Sequence, residues 1–305
     1  MRAGARWVVR ADDDGHGWQV RPPEPWNAGE HMGLMRDPGG VAVAVGLDVP
    51  LGVPRGWAGV VGIASFRDLL KGIRDDRWPH LLEPAATAAD IAPSRPFYPR
   101  APGGTRQADL VAGLGLASVD DLRRECDRAV PGVMGAAAPV FWLVGAQQVG
   151  KAAITAWRDV VAPVAELPHV RLWPMDGALA DLMAPGRTVL AEVYPRAAYT
   201  WPLGFPPGGW SKRRQADRRA RAAQARAWIG ASGLRITLDQ GMQAALDDGF
   251  GHAPSGEDPF DATMGALQMI AVLDGLVPEA PAGIMDAADG RRRATEGWIL
   301  GRPAT

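Results

Sequence analysis

Val-Ala-Val-Ala-Val-Gly-Leu-Asp-Val-Pro-Leu-Gly-Val-Pro (41–54) is the stretch on which the reading of the fold turns. Residues 41–49 are an almost continuous apolar run, the pattern of a strand covered on both faces in a parallel sheet. Pro50 and Pro54, with Gly52 between them, stop the strand and force an abrupt turn. Asp48 therefore falls at the carboxyl end of a buried strand, where open α/β sheets place their ligands.

Two further apolar elements carry acids in comparable places. Thr-Val-Leu-Ala-Glu-Val-Tyr (188–194) reads as a second strand with Glu192 inside it, and Glu-Asp-Pro-Phe-Asp (257–261) opens an apolar helical pattern running to about residue 273. A buried, ionised carboxylate costs several kcal/mol unless it is paired or binds a metal. Asp48, Glu192, Asp258 and Asp261 thus point to one shared site, and hard oxygen donors of this kind suit Mg²⁺ or Mn²⁺. Asp258 and Asp261 are three residues apart and share a helix face. Two divalent ions about 4 Å apart, held by such acids, activate a water and stabilise the leaving oxygen of a phosphoryl displacement. Each acid also has an ordinary reading: Asp258 as an N-cap before Pro259, Glu192 as a salt-bridged strand residue, Asp48 as the cap of its own turn. The combination favours the shared site.

The remaining chain predicts one α/β domain over residues 1–305. A hairpin (6–11 and 16–20) flanks the turn formers Asp12, Asp13, Asp14 and Gly15. A helix is expected at about 62–73 and a loop-rich insertion at about 74–135, with short helices near 107–113 and 119–128. Residues 139–145 read as a short buried segment, followed by a helix to about residue 161. Further expectations are a strand at 169–173, a helix at 211–229, another at 236–248, and an edge strand at 295–300.

Apolar residues make up 47% of the 305, and the net charge is -1, so the chain as a whole has no electrostatic partner signal. A single cysteine, Cys126, excludes an internal disulfide and a cysteine metal cluster. No apolar run of about eighteen residues and no signal-peptide core is present, which predicts a cytoplasmic protein without membrane contact. The 12 tryptophans read as core packing before base-stacking platforms.

Ser-Lys-Arg-Arg-Gln-Ala-Asp-Arg-Arg-Ala-Arg (211–221) is the strongest local charge. Lys212, Arg214, Arg218 and Arg221 are candidate phosphate contacts, the three arginines sharing one helical face. A solvated helix face is the competing reading. His252, in a Gly-rich loop before Asp258, and Gln148 with Lys151, at a helix start, are weaker candidates.

Gly-Leu-Asp-Val-Pro-Leu-Gly-Val-Pro (46–54), Ala-Glu-Val-Tyr-Pro-Arg-Ala (191–197), Asp-Pro-Phe-Asp-Ala (258–262) and Glu-Gly-Trp-Ile-Leu (296–300) together resemble, in order, the domain of unknown function 429 family. These are predicted nucleases of the ribonuclease H-like superfamily. The resemblance implies a mixed sheet flanked by helices and a metal site at the strand ends, with Asp48, Glu192 and Asp261 as metal ligands and Asp258 assisting. It also implies cleavage of nucleic acid, DNA or RNA. Such proteins begin with a strand bearing the first metal-binding aspartate. Only six residues precede Trp7, so that strand is expected upstream of the chain as given, and without it weak metal binding is expected. Two rivals remain: a catalytically silent domain of the same fold that binds nucleic acid or nucleotide, and a phosphoryl transferase of the same core.

Overall fold

The computed structural model describes residues 6–99, 106–132, 134–144, 148–252, 255–286 and 290–303, so the expectations that fall at 1–5, 100–105 and 145–147 lie outside the described residues. Among the described residues the chain is mixed α/β, with three small sheets and no barrel. No helix among them is long and apolar enough to cross a membrane.

The first strands form two ribbons. β1 (Trp7–Val8) pairs antiparallel with β4 (Glu24–Pro25), while β2 (Ala11–Asp13) pairs antiparallel with β3 (Trp18–Val20). The aspartates of the intervening turn fold it, Asp13 accepting from Gly15 N and Asp14 from His16 N and Gly17 N. Helix α1 (Ala28–Arg36), capped by Asn27, then leads to β5 (Val43–Leu47).

β5 lies parallel to β7 (Thr188–Glu192), with Leu47 opposite Glu192, and β6 (Val170–Leu172) lies parallel on the other side of β7. All five residues of β7 are buried, as a central strand covered on both faces requires. β5 is only half-buried along its length, because it is the edge of this sheet. β6 stops pairing at Leu190, and Ile299 takes the place beside Glu192, so the C-terminal segment contributes a single bridge where a strand is expected.

Helices fill the long connection between β5 and β6. They are α2 (Arg55–Val61), α3 (Phe66–Arg74), α4 (Gln107–Leu114), α5 (Val149–Ala156) and α6 (Ala162–Val164), the last two joined by a π-helical segment at Trp157–Val161. The expected helix at 62–73 is thus preceded by a second one, which starts directly after Pro54. Within the expected insertion at about 74–135, Phe97, Tyr98, Leu110, Leu114 and Leu122 join the largest core cluster. There Trp57, Phe97, Phe141 and Trp157 meet edge to face, and Trp157 Nε1 donates to Pro50 O at 2.7 Å.

After the short helices α7 (Leu179–Leu182) and α8 (Pro195–Thr200) come α9 (Gln215–Ala231), β8 (Ile236–Leu238), α10 (Gln240–Asp248), α11 (Glu257–Leu273) and α12 (Gly290–Glu296). The expected helix at 236–248 divides because Asp239 caps α10 through Met242 N, which frees Ile236–Leu238 to pair parallel with β3. α11 is the element shared by two cores. Ala271 and Val272 pack with β7, while Phe260, Met264, Leu267 and Ile270 pack with Val20 and the buried faces of α9 and α10. α11 approaches β5 closely at Gly46, where a Cβ would sit 2.2 Å from Met269 Sδ and 2.9 Å from Val193 Cγ1.

Candidate functional site

The turn after β5 is pinned from both sides. Glu192 Oε2 accepts from Leu51 N at 2.8 Å, and Val53 N donates to Thr295 O at 2.9 Å. A Cβ on Gly52 would lie 2.0 Å from the Glu296 carbonyl oxygen, so the turn seats against the start of the last segment only with glycine there. Asp48 is left at the strand end with its side chain exposed to solvent and no hydrogen bond or ion pair to another described residue.

α11 brings the other acids. Asp261, in its first turns and 13% exposed, accepts from Tyr199 Oη and from Lys212 Nζ. Asp258 lies at the second helical position, exposed, with Gly256 as the cap residue. Enclosure by protein first, then the charge of Asp261, push the Asp48 carboxyl up to about 7, Lys212 pulling the other way and Glu192 and Asp258 adding to the rise. Asp48 itself is open to water, which screens part of this repulsion. Burial also raises Asp261, with Lys212 opposing. On Lys212 burial acts downward and is outweighed by Asp261 and then Asp48, so its ammonium stays charged. The four candidate acids therefore share one electrostatic neighbourhood at the carboxyl end of β5 and β7.

Their bonding divides them. Glu192 is 4% exposed and its two oxygens take Arg124 Nη1 and Nη2 at 2.6 and 2.7 Å as well as Leu51 N. Burial pushes this carboxyl upward and Arg124 opposes it; with three short donors Glu192 is the ionised partner of a buried guanidinium. Arg124 also binds Asp127 through Nε and Nη2 at 3.0 and 2.8 Å. Arg124 and Asp127 lie three residues apart in a segment whose sequence carries no functional motif, so nothing in the sequence marked them as Glu192's partners. Tyr199, likewise not singled out in the sequence, sits in an aromatic cluster with Phe205, Trp210 and Phe260 that aims its hydroxyl at Asp261. Burial, and after it the charge of Asp261, hold this phenol well above its ordinary value.

The basic segment splits in the same way. Arg218 is fully buried and donates to the carbonyls of Gly249, Gly251 and Lys212, which turns it inward as a structural tie. Arg214 pairs with Asp217, and Arg221 bonds Gln224 beside the rings of Phe205 and Trp210. Lys212 is the member that reaches the acids. Exposed Arg196 and Arg219 make no ion pair with a described residue, and Arg213, 73% exposed, lies 3.9 Å from Glu257. His252 is exposed.

The donor set does not fit a divalent ion as it stands. Asp261 is taken by Lys212 and Tyr199, Glu192 by Arg124 and Leu51, and no three His, Cys, Asp or Glu residues among those described are grouped to hold a metal. Comparison of the chain with protein-family models, curated protein sequences and solved structures yields no match.

Proposed function

We propose that the chain is a phosphodiester hydrolase of the ribonuclease H-like type that acts on nucleic acid, with Asp48 at its reactive centre. The observation that carries this reading is the unpaired, solvent-open Asp48 at the end of a parallel strand, within the electrostatic reach of Lys212, Asp258 and Asp261 from other elements. A carboxylate whose pKa is lifted toward neutrality is well matched to accept a proton from an attacking water. Lys212, with exposed Arg196 on α8 and exposed Arg213, which lies 3.9 Å from Glu257 of α11, supplies positive charge for a phosphate. Glu192 does not face substrate in this scheme; it fixes the Pro50 turn on which Asp48 is mounted. Mg²⁺ or Mn²⁺, expected from the family resemblance, has no closed ligand set here, and no step depends on it.

A second reading, a silent nucleic-acid-binding domain of the same fold, is favoured by the pairing of Lys212 with Asp261, which neutralises one of the acids. Labelled single-stranded, duplex and branched DNA and RNA, incubated with the protein in chelator, Mg²⁺ or Mn²⁺, separate the two. Cleavage that Asp48→Asn abolishes supports the hydrolase. Salt-sensitive binding without cleavage in any condition overturns it in favour of the silent domain.

A further inference from the structure

The ion pair at Asp261 is built rigidly from both sides. The Lys212 carbonyl accepts from Nη1 of Arg218, which is fully buried and whose Nε and Nη2 hold Gly249 O and Gly251 O at 2.8 and 2.6 Å. One guanidinium thus ties the backbone of Lys212 to the loop that enters α11, the helix carrying Asp261. On the near side Ser211 N donates to Asp217 at 2.7 Å, and Trp210 is wedged among Tyr199, Phe205 and Phe260. Tyr199 closes the other oxygen of Asp261. A surface lysine whose placement costs a fully buried arginine is not an incidental contact, because burying a guanidinium is expensive unless its donors are satisfied.

We infer that Lys212 is the resident cation of this site, its ammonium paired with Asp261 and its charge felt at Asp48, so that it excludes a divalent metal ion from these acids. The inference rests on Asp48 being the reactive centre, and it names what balances the acids around it. An ammonium is a compact point charge, able to pair with Asp261 and offset the nearby charge of Asp48 without the six oxygen ligands that Mg²⁺ demands. A metal ion would have to displace it against a backbone that Arg218 holds in place.

The test is Mn²⁺ binding, read by the paramagnetic resonance of free Mn²⁺ and by calorimetry, on the intact protein, Lys212→Met, Lys212→Arg, and Lys212→Met combined with Asp261→Asn. Wild type and Lys212→Arg should bind weakly. Lys212→Met should bind about tenfold more tightly or better, the change expected when a like charge a few ångström away is removed from a partly solvated site. Adding Asp261→Asn should remove that gain. Equal binding by wild type and Lys212→Met, or a gain that survives Asp261→Asn, overturns the inference. Should Lys212→Met not fold, the unmodified protein answers by acetylation kinetics read residue by residue, since the only side-chain amines are those of Lys71, Lys151 and Lys212. Lys212 labelling that is slow and unaffected by Mn²⁺ supports the resident cation, whereas Mn²⁺-accelerated labelling refutes it. These readouts involve no cleavage, so a chain that binds as expected but cuts nothing fails only the hydrolase reading.

Discussion

Replacing Arg124 with methionine removes the guanidinium that holds two buried carboxylates together. Arg124 is 1% exposed and makes two bonds to Asp127 (3.0 and 2.8 Å), two to Glu192 (2.6 and 2.7 Å) and one to the Glu296 carbonyl at 3.3 Å. Without it Glu192 keeps only Leu51 N, and Asp127 keeps only the amide of residue 124, both acids being less than 5% exposed. Breaking a buried pair by deleting one partner costs about 3–5 kcal/mol, because a charge is left without compensation in a low-dielectric interior. Set against a total stability of about 5–15 kcal/mol, that is roughly a fifth or more of what holds the chain folded. Thermal and urea denaturation followed by circular dichroism at pH 7 should show a fall in Tm on the order of 10 °C. Combining Arg124→Met with Glu192→Gln should recover at least about 1 kcal/mol, since a neutral amide can still accept from Leu51 N without a buried charge. A single variant within about 1 kcal/mol of wild type would refute the view that this pair fastens the Asp48 turn to the sheet.

Three further outcomes follow from the geometry. The Asp48 pKa is raised on folding from 3.8 to about 7, so the folded state holds that proton more tightly than the unfolded chain, and the associated stability is present below about 4 and lost as pH rises through about 7. Asp48→Asn should therefore match wild type in Tm at pH 4 and exceed it at pH 8; a difference independent of pH would show that Asp48 is unperturbed. Gly52→Ala drives a Cβ against the backbone of Glu296 and should cost about 1–3 kcal/mol in a urea melt, whereas Gly59→Ala, in open space on α2, should stabilise by up to about 1 kcal/mol. Tyr199→Phe removes one donor to the Asp261 carboxylate and should destabilise by about 1.5–3 kcal/mol in the same assay; no loss would mean that this hydroxyl bonds water in solution instead.

Periodicity and punctuation made much of the fold legible before any coordinates. The unbroken apolar run ended by Pro50 marks β5, the Thr188 to Glu192 run marks β7, and the spacing of Phe260, Met264, Leu267 and Ile270 marks α11, because each pattern follows from which faces the element buries. Placement of Asp48, Glu192 and Asp261 at one end of the sheet follows from the same patterns, given parallel pairing of the strands. Bonding does not. Whether Glu192 stands free beside Asp48 or binds a guanidinium depends on Arg124, 68 residues away in a segment of short 3-10 turns with no periodic signal. Whether Arg218 meets a phosphate or three carbonyls depends on how α9 rolls against the 249–251 loop, and helical spacing alone leaves that rotation open. Local sequence determines an element's type and the end at which its acid sits, since both arise from interactions a few residues apart. Which charge neutralises which acid is a long-range matter, decided only when segments far apart in the chain are packed and every buried charge must find a partner.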